Sequence, residues 1–189
     1  MTRIYLIRHA RPASTWGGHD DDPGLDDTGK AQAAAIAQVL LALPDSQRPT
    51  RVVSSPLRRC RETAEPFARG IGATIQIDPA VGEIPTPASL PADERPGWLR
   101  QAFQGRWSDI RGDLDYEAWR KAVSAAVAGH ANTAVFSHFV AINAVLSHLA
   151  GDDHVIAFRP DHTSMTVLEV GDDGLTLVER GAEASTGVL

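Results

Sequence analysis

Ile4-Tyr5-Leu6-Ile7-Arg8-His9 is the stretch on which the fold turns. Its first four residues form an unbroken apolar run without alternation, the pattern of a short strand buried on both faces. The run stops at Arg8-His9, so polar groups stand at the strand's C-terminal end. Thr133 to Ser137 repeats the pattern and leads into His138. Arg51 to Ser54 and Ala73 to Ile77 supply two more short strands.

Helical periods fill the intervals. Ile36, Val39, Leu40 and Leu43 share one face of a helix that starts near Thr28 and is stopped by Pro44. Pro56 sits where its fixed φ suits the first turn of a helix over Leu57 to Arg69. Tyr116, Trp119, Val123 and Val127 line a helix over Leu114 to Ala128. Ile142, Val145, Leu146 and Leu149 line another over Ala141 to Leu149. Met165 to Val170 and Leu175 to Val178, around Asp172-Asp173-Gly174, predict a closing β-hairpin. Strands alternating with helices predict an α/β fold, a three-layer α/β/α sandwich with a largely parallel sheet. Residues 10–27 read as a loop of functional length. The proline-rich stretch 79–97 predicts a compact lid or crossover without regular structure. We expect one domain over 1–189, with residues 84–112 as a lid insertion within it.

Composition narrows the function. The chain has 189 residues, 43% of them hydrophobic and 22% charged, which is ample for a core without disulfides or metal staples. A net charge of -6 argues against a nucleic-acid partner. The single cysteine, Cys60, excludes an internal disulfide framework. No apolar run approaches the roughly 18 residues of a membrane span. The apolar run before Arg8 is too short for a signal-peptide core. The expectation is a cytoplasmic protein with no membrane partner.

Ligands of open α/β sheets bind beyond the C-terminal ends of the strands. Arg8-His9 and Ser137-His138 both stand there. The basic run Arg58-Arg59-Cys60-Arg61 follows another strand, on the first turn of a helix whose free N–H groups favour anions. A lone strand-end histidine is ordinarily structural, and an arginine run is ordinarily a solvated face. Together they predict a pocket for a phosphate dianion, because guanidinium forks match phosphate oxygens.

These segments resemble the histidine phosphatase superfamily, the phosphoglycerate mutase-like family. IYLIRHARP (4–12) is similar to its strand followed by Arg-His-Gly. GLDDTGKAQA (24–33) resembles its Leu-Thr-x-x-Gly-x-x-Gln-Ala signature. SSPLRRCRETA (54–64) resembles Ser-Ser-Pro-Leu-x-Arg-Ala-x-x-Thr-Ala, and VFSHFVAINAVL (135–146) resembles the second-histidine strand and helix. The resemblance runs through nearly the whole chain in the right order. It implies a phosphoglycerate mutase-like fold and a metal-independent phosphatase that hydrolyses a small phosphomonoester through a phosphohistidine, without cofactor.

His9 would be the nucleophile, and Arg8 and Arg59 would clamp the phosphoryl oxygens. His138 would be the second histidine of the phosphate pocket, and Glu83 the general acid and base, with Asp93 and Glu94 as fallbacks. Arg58 falls at the variable position. A phosphoglycerate mutase-type transfer and a non-catalytic phosphate-binding module are the competing readings.

Three departures bear on substrate choice: Ala10 for glycine, Arg11-Pro12 where many relatives carry Glu or Ser followed by Thr or Ser, and Phe139 where glycine commonly follows the second histidine. Arg11 and Phe139 are accordingly expected at the substrate. Arg11, Arg95 and Arg100 are candidates to read a second anionic group. Trp98 and Trp107 read as lid aromatics or as packing, and His162 as a rim or surface residue. Asp20, Asp21 and Asp22, and His148, Asp152 and His154, have loose metal-ligand spacing but read as solvated surface. Cys60 reads as a small packed side chain.

Overall fold

The computed structural model describes residues 2–14, 20, 22–91 and 93–184. Its six strands are β1 (Thr2–Arg8), β2 (Arg51–Ser54), β3 (Ile75–Ile77), β4 (Thr133–Ser137), β5 (Met165–Gly171) and β6 (Gly174–Glu179). They form one sheet in the order β3-β2-β4-β1-β5-β6. The first four are parallel, whereas β5 runs antiparallel to β1 and β6 antiparallel to β5. The sheet is thus largely parallel, as expected, and the closing hairpin makes it mixed at one edge. The closing hairpin extends the sheet past β1 instead of returning over it.

Alternation along the strands divides the core into two. Ile4, Leu6, Val53, Val135 and Leu168 face one side. There they pack on α4 (Tyr116–Ala128) and α5 (Phe139–Ala150). Tyr5, Ile7, Val52, Ala134, Phe136 and Val167 face the other, against α1 (Asp27–Leu41) and α2 (Arg58–Ile71). That is the expected three-layer sandwich. Asp26 caps α1, its carboxylate accepting from the Gly29 amide at 2.7 Å. Gly72, at φ +66°, ends α2 in the left-handed conformation that glycine adopts without strain. Asp115 caps α4, and Gly151 at φ +64° closes α5.

One helix departs from the sequence reading. Residues Arg95–Gln104 form α3, although the proline-rich stretch predicted irregular structure up to residue 97. Pro96 lies in the first turn, where its missing N–H costs nothing. Ile84, Leu99 and Trp107 are buried in the α4–α5 side of the core. Trp107 donates its indole N–H to Ser147 at 3.0 Å. The backbone also bonds Trp107 to Asp153 and Val155 to Gly105. Residues 84–112 are thus fastened to the body of the molecule. Trp98 stacks on Tyr116 and donates to the Arg111 carbonyl, so both tryptophans serve packing.

Candidate active site

Strand register brings the two histidines together. β1 and β4 are parallel neighbours with Arg8 opposite Ser137, and the His9 amide continues the ladder to the Ser137 carbonyl at 2.9 Å. His9 and His138 leave adjacent strands at the same level, and their rings meet edge-on with centroids 5.3 Å apart. β2 lies on the other side of β4, so the first turn of α2 reaches the same place. Arg59, on that turn, is buried and lies 3.3 Å from His138 Nδ1. β3 ends one strand further out and turns through a single 3₁₀ turn, Pro79–Val81, that delivers Glu83. Ser137 Oγ donates to the Val81 carbonyl at 2.7 Å and ties that turn to β4.

Burial and charge set the protonation states. His9 Nδ1 lies 2.8 Å from the Ala10 carbonyl, which can only accept. Nδ1 therefore carries the proton and Nε2 the lone pair. Burial, then the neighbouring His138, Arg59 and Arg8, hold the His9 pKa well below the ordinary value. Burial, Arg59 and Arg8 do the same to His138. A guanidinium can only donate, so His138 accepts at Nδ1 from Arg59. Its Nε2–H then faces Ser55 Oγ at 2.7 Å. Glu83 is pushed the other way. Its side chain is 9% exposed, and burial raises its pKa against the pull of the Ile84 amide and the two arginines. Its carboxylate stands 3.9 Å from His138 Nδ1.

Arg8 is 6% exposed. It donates to the Pro160 carbonyl at 2.9 Å and lies 5.1 Å over the Phe139 ring. Its Nε has no partner among the described residues. Burial draws its pKa down to about 10. A buried guanidinium with an unused donor, beside a second buried arginine and two neutral histidines, is a cationic cradle that suits an anion.

The remaining expectations sort by position. Phe139 lies under Arg8 and stacks on Phe103, so it reaches the site by supporting the arginine. Arg11 does not join the cluster. Its side chain is 51% exposed, with Nε paired to Asp26 at 2.7 Å and Nη2 donating to Thr28. Arg100 is exposed and Arg95 half-buried. Asp93 and Glu94 are exposed and not part of the cluster.

Arg58 is exposed and bound to Glu62, and its backbone amide donates to Asp22. Asp21 lies outside the described residues. Among the described residues no three acidic, histidine or cysteine side chains converge as metal ligands. His154 pairs with Asp152 in the open. Cys60 is fully buried, 3.3 Å from His138 Nε2, and burial pushes its thiol pKa up. It is a packed side chain.

Sequence reading passed over two supports, Thr63 and Asn143. Thr63 accepts from the Ala10 amide at 2.9 Å; it stands in the SSPLRRCRETA segment, whose threonine was the available signal. Asn143 accepts from the Ala157 and Phe158 amides and holds the loop that carries the Pro160 carbonyl. His162, expected at the rim or the surface from its place before the hairpin, comes within 5.7 Å of the His9 ring.

Comparison with known proteins identifies the family and the fold. Residues 4–183 match the family model of the histidine phosphatase superfamily (branch 1). A probable phosphoglycerate mutase GpmB from Cronobacter sakazakii is 31% identical over 117 residues, 56% of this chain and 51% of that protein. Its counterpart from Photorhabdus laumondii is 34% identical over 90 residues, 44% and 39% of the two chains. The aligned stretch thus spans about half the length, or less, of these curated relatives.

Solved structures share the fold throughout. A phosphoserine phosphatase from Entamoeba histolytica in complex with phosphoserine superposes with a TM-score of 0.75 at 19% identity, covering 96% of this chain and 98% of that one. A mycobacterial glucosyl-3-phosphoglycerate phosphatase gives 0.72 at 21%, covering 97% and 100%. No helix among the described residues is long and apolar enough to cross a membrane. With the family model matched over nearly its whole length, the chain belongs to the histidine phosphatase superfamily.

Proposed function

We propose that this protein is a metal-independent phosphatase that hydrolyses a small phosphomonoester through a phosphohistidine on His9. The observation that carries the reading is the pair of rings His9 and His138, 5.3 Å apart, enclosed by two buried arginines and a buried carboxyl. His9 Nε2 attacks phosphorus with its lone pair as the ester P–O bond breaks. Arg8 and Arg59 hold the equatorial oxygens, His138 keeps Arg59 in place by accepting from it at Nδ1, and two fixed guanidinium charges serve the phosphoryl group without a divalent cation. Glu83, whose pKa burial raises, gives its proton to the departing alkoxide. Glu83 then takes a proton from water as that water attacks phosphorus, the P–N bond breaks, and phosphate leaves neutral His9 behind. Residues 84–112 roof one side of the pocket through Phe103, which stacks on Phe139, and residues 1–189 work as one domain.

The test is trapping. Wild type given p-nitrophenyl phosphate with chelator releases p-nitrophenol and, when quenched in alkali, retains base-stable, acid-labile phosphate. His9→Ala does neither. Activity that survives in His9→Ala removes the nucleophile assignment. The relatives named as probable phosphoglycerate mutases support a second reading, phosphoryl return to substrate. With 3-phosphoglycerate, free phosphate as product supports hydrolysis, and 2-phosphoglycerate supports the mutase.

A further inference from the structure

His162 sits beside the nucleophile on the side away from the family motifs. The turn that carries it, residues 161–164, is laced to the end of β1. Arg8 donates its amide to Ser164, Thr163 donates to the Arg8 carbonyl, and His162 Nδ1 lies 3.2 Å from the His9 carbonyl. A carbonyl accepts only, so Nδ1 carries the proton. Nε2 is then the free ring nitrogen, and it has no partner among the described residues. The His162 ring is 5.7 Å from the His9 ring, against 5.3 Å for His138, so the nucleophile is flanked by two imidazoles.

The turn is held at a cost. Thr163 has φ +58°, a left-handed conformation that a β-branched residue adopts only under constraint. The constraint is visible. His162 N–H donates to Asp161 Oδ1 at 2.7 Å, and Asp161 N–H donates to the Ala182 carbonyl at 3.0 Å. Gly181 packs so closely that a Cβ there would stand 2.7 Å from the Met165 nitrogen. Strain kept in place beside a reacting group points to a role for what it presents. Burial and the Arg8 charge hold the His162 pKa below the ordinary value, so the ring is neutral near pH 7 and Nε2 is an acceptor.

We propose that His162 reads the alcohol half of the substrate, Nε2 accepting a hydrogen bond from a hydroxyl close to the phosphate. The substrate class is therefore a hydroxyl-bearing phosphomonoester, preferred over a plain alkyl ester and over one carrying a second anion. This rests on the phosphatase reading above.

Three matched three-carbon esters decide it: glycerol 1-phosphate, propyl phosphate and 3-phosphoglycerate. Wild type favours glycerol 1-phosphate over propyl phosphate by about tenfold in kcat/KM, the worth of one matched hydrogen bond. Two variants separate reading from bracing. His162→Asn keeps an amide N–H where Nδ1 was and loses Nε2. His162→Gln keeps an amide near Nε2 and loses Nδ1. The ratio between the two esters falls to near one in His162→Asn and survives in His162→Gln, whatever the absolute rates.

An unchanged ratio in His162→Asn overturns the proposal. So does a wild-type ratio near one, or a wild-type preference for 3-phosphoglycerate. If wild type turns over none of the esters, the hydrolase reading fails on its own. Calorimetric binding of glycerol 1-phosphate and propyl phosphate to wild type and His162→Asn then decides His162 by the same ratio.

Discussion

Arg8 and Arg11 are three residues apart and live under opposite rules. Arg11 is half exposed and bonded through two of its three guanidinium nitrogens. Asp26 and Thr28 take its guanidinium, and the Gln32 side chain accepts from its amide. Arg8 is buried and incompletely engaged, with one carbonyl partner and an orphaned Nε. A fold optimised for stability alone would reverse this, since water serves an exposed cation and the interior penalises a buried one. The difference teaches where to look: polar groups left wanting inside a protein mark the place that waits for a ligand.

The sharpest way to break the comparison is to remove each arginine. Arg8→Met takes away a positioned donor to the developing charge. It is expected to lower kcat/KM for p-nitrophenyl phosphate by about 100- to 1,000-fold. The same change relieves a buried charge, so the melting temperature holds or rises. Arg11→Met is expected to stay within about twofold of wild type in rate, as an ordinary surface substitution does. Comparable losses from the two variants would erase the distinction and return Arg11 to the substrate.

A second pair of variants probes what supports each arginine. Asn143 accepts from the Ala157 and Phe158 amides at 3.0 and 2.9 Å, fixing the loop whose Pro160 carbonyl holds Arg8. Gln32 accepts from the Arg11 amide at 2.9 Å near the surface. Asn143→Leu strands two enclosed N–H groups and is expected to cost about 2–4 kcal/mol in urea unfolding. Gln32→Leu frees one N–H for water and is expected to cost less than about 1 kcal/mol. Equal midpoints for the two would show that the Arg8 loop is not braced from α5.

These contrasts also explain what the sequence made legible. Arg8, His9 and His138 were readable because an apolar run that ends in charge fixes both burial and direction, and parallel neighbours in register do the rest. The parallel half of the sheet followed from the βα alternation. The edge that β5 and β6 would extend did not, because a hairpin's own pattern says nothing of which strand it joins. α3 was hidden by Pro91 just before it and Pro96 in its first turn, although Pro96 was a usable start signal. Arg11 looked functional by adjacency to His9, and its partners Asp26 and Thr28 lie 15 and 17 residues further on, beyond any local spacing rule. His162 was the converse: its place depends on the left-handed Thr163, and threonine is a poor sequence signal for that conformation.

The smallest effect is carried by protons and compares the same two arginines. His9 and His138 are held below the 6.5 of a free histidine, and Glu83 above the 4.5 of a free carboxyl. Between its depressed native pKa and 6.5, each histidine is protonated in the unfolded chain and neutral in the native one. The unfolded chain then binds more protons, and stability rises with pH. Glu83 has the opposite sign: from 4.5 up to its raised native pKa the native state holds the extra proton, and stability falls as pH rises. Each histidine contributes about 1.4 kcal/mol per pH unit across its window, so two outweigh one carboxyl.

The urea midpoint is therefore expected to rise from about pH 5 to 6.5, and to rise less in His138→Gln. Arg8 is among the charges that depress both histidines, so Arg8→Met narrows the window from below. Burial is the larger cause, so the narrowing is partial. Arg11 does not act on either ring, and Arg11→Met leaves the slope as in wild type. A midpoint that is flat or falls over this range would mean that the two histidines titrate normally and that the cradle around His9 is open to water.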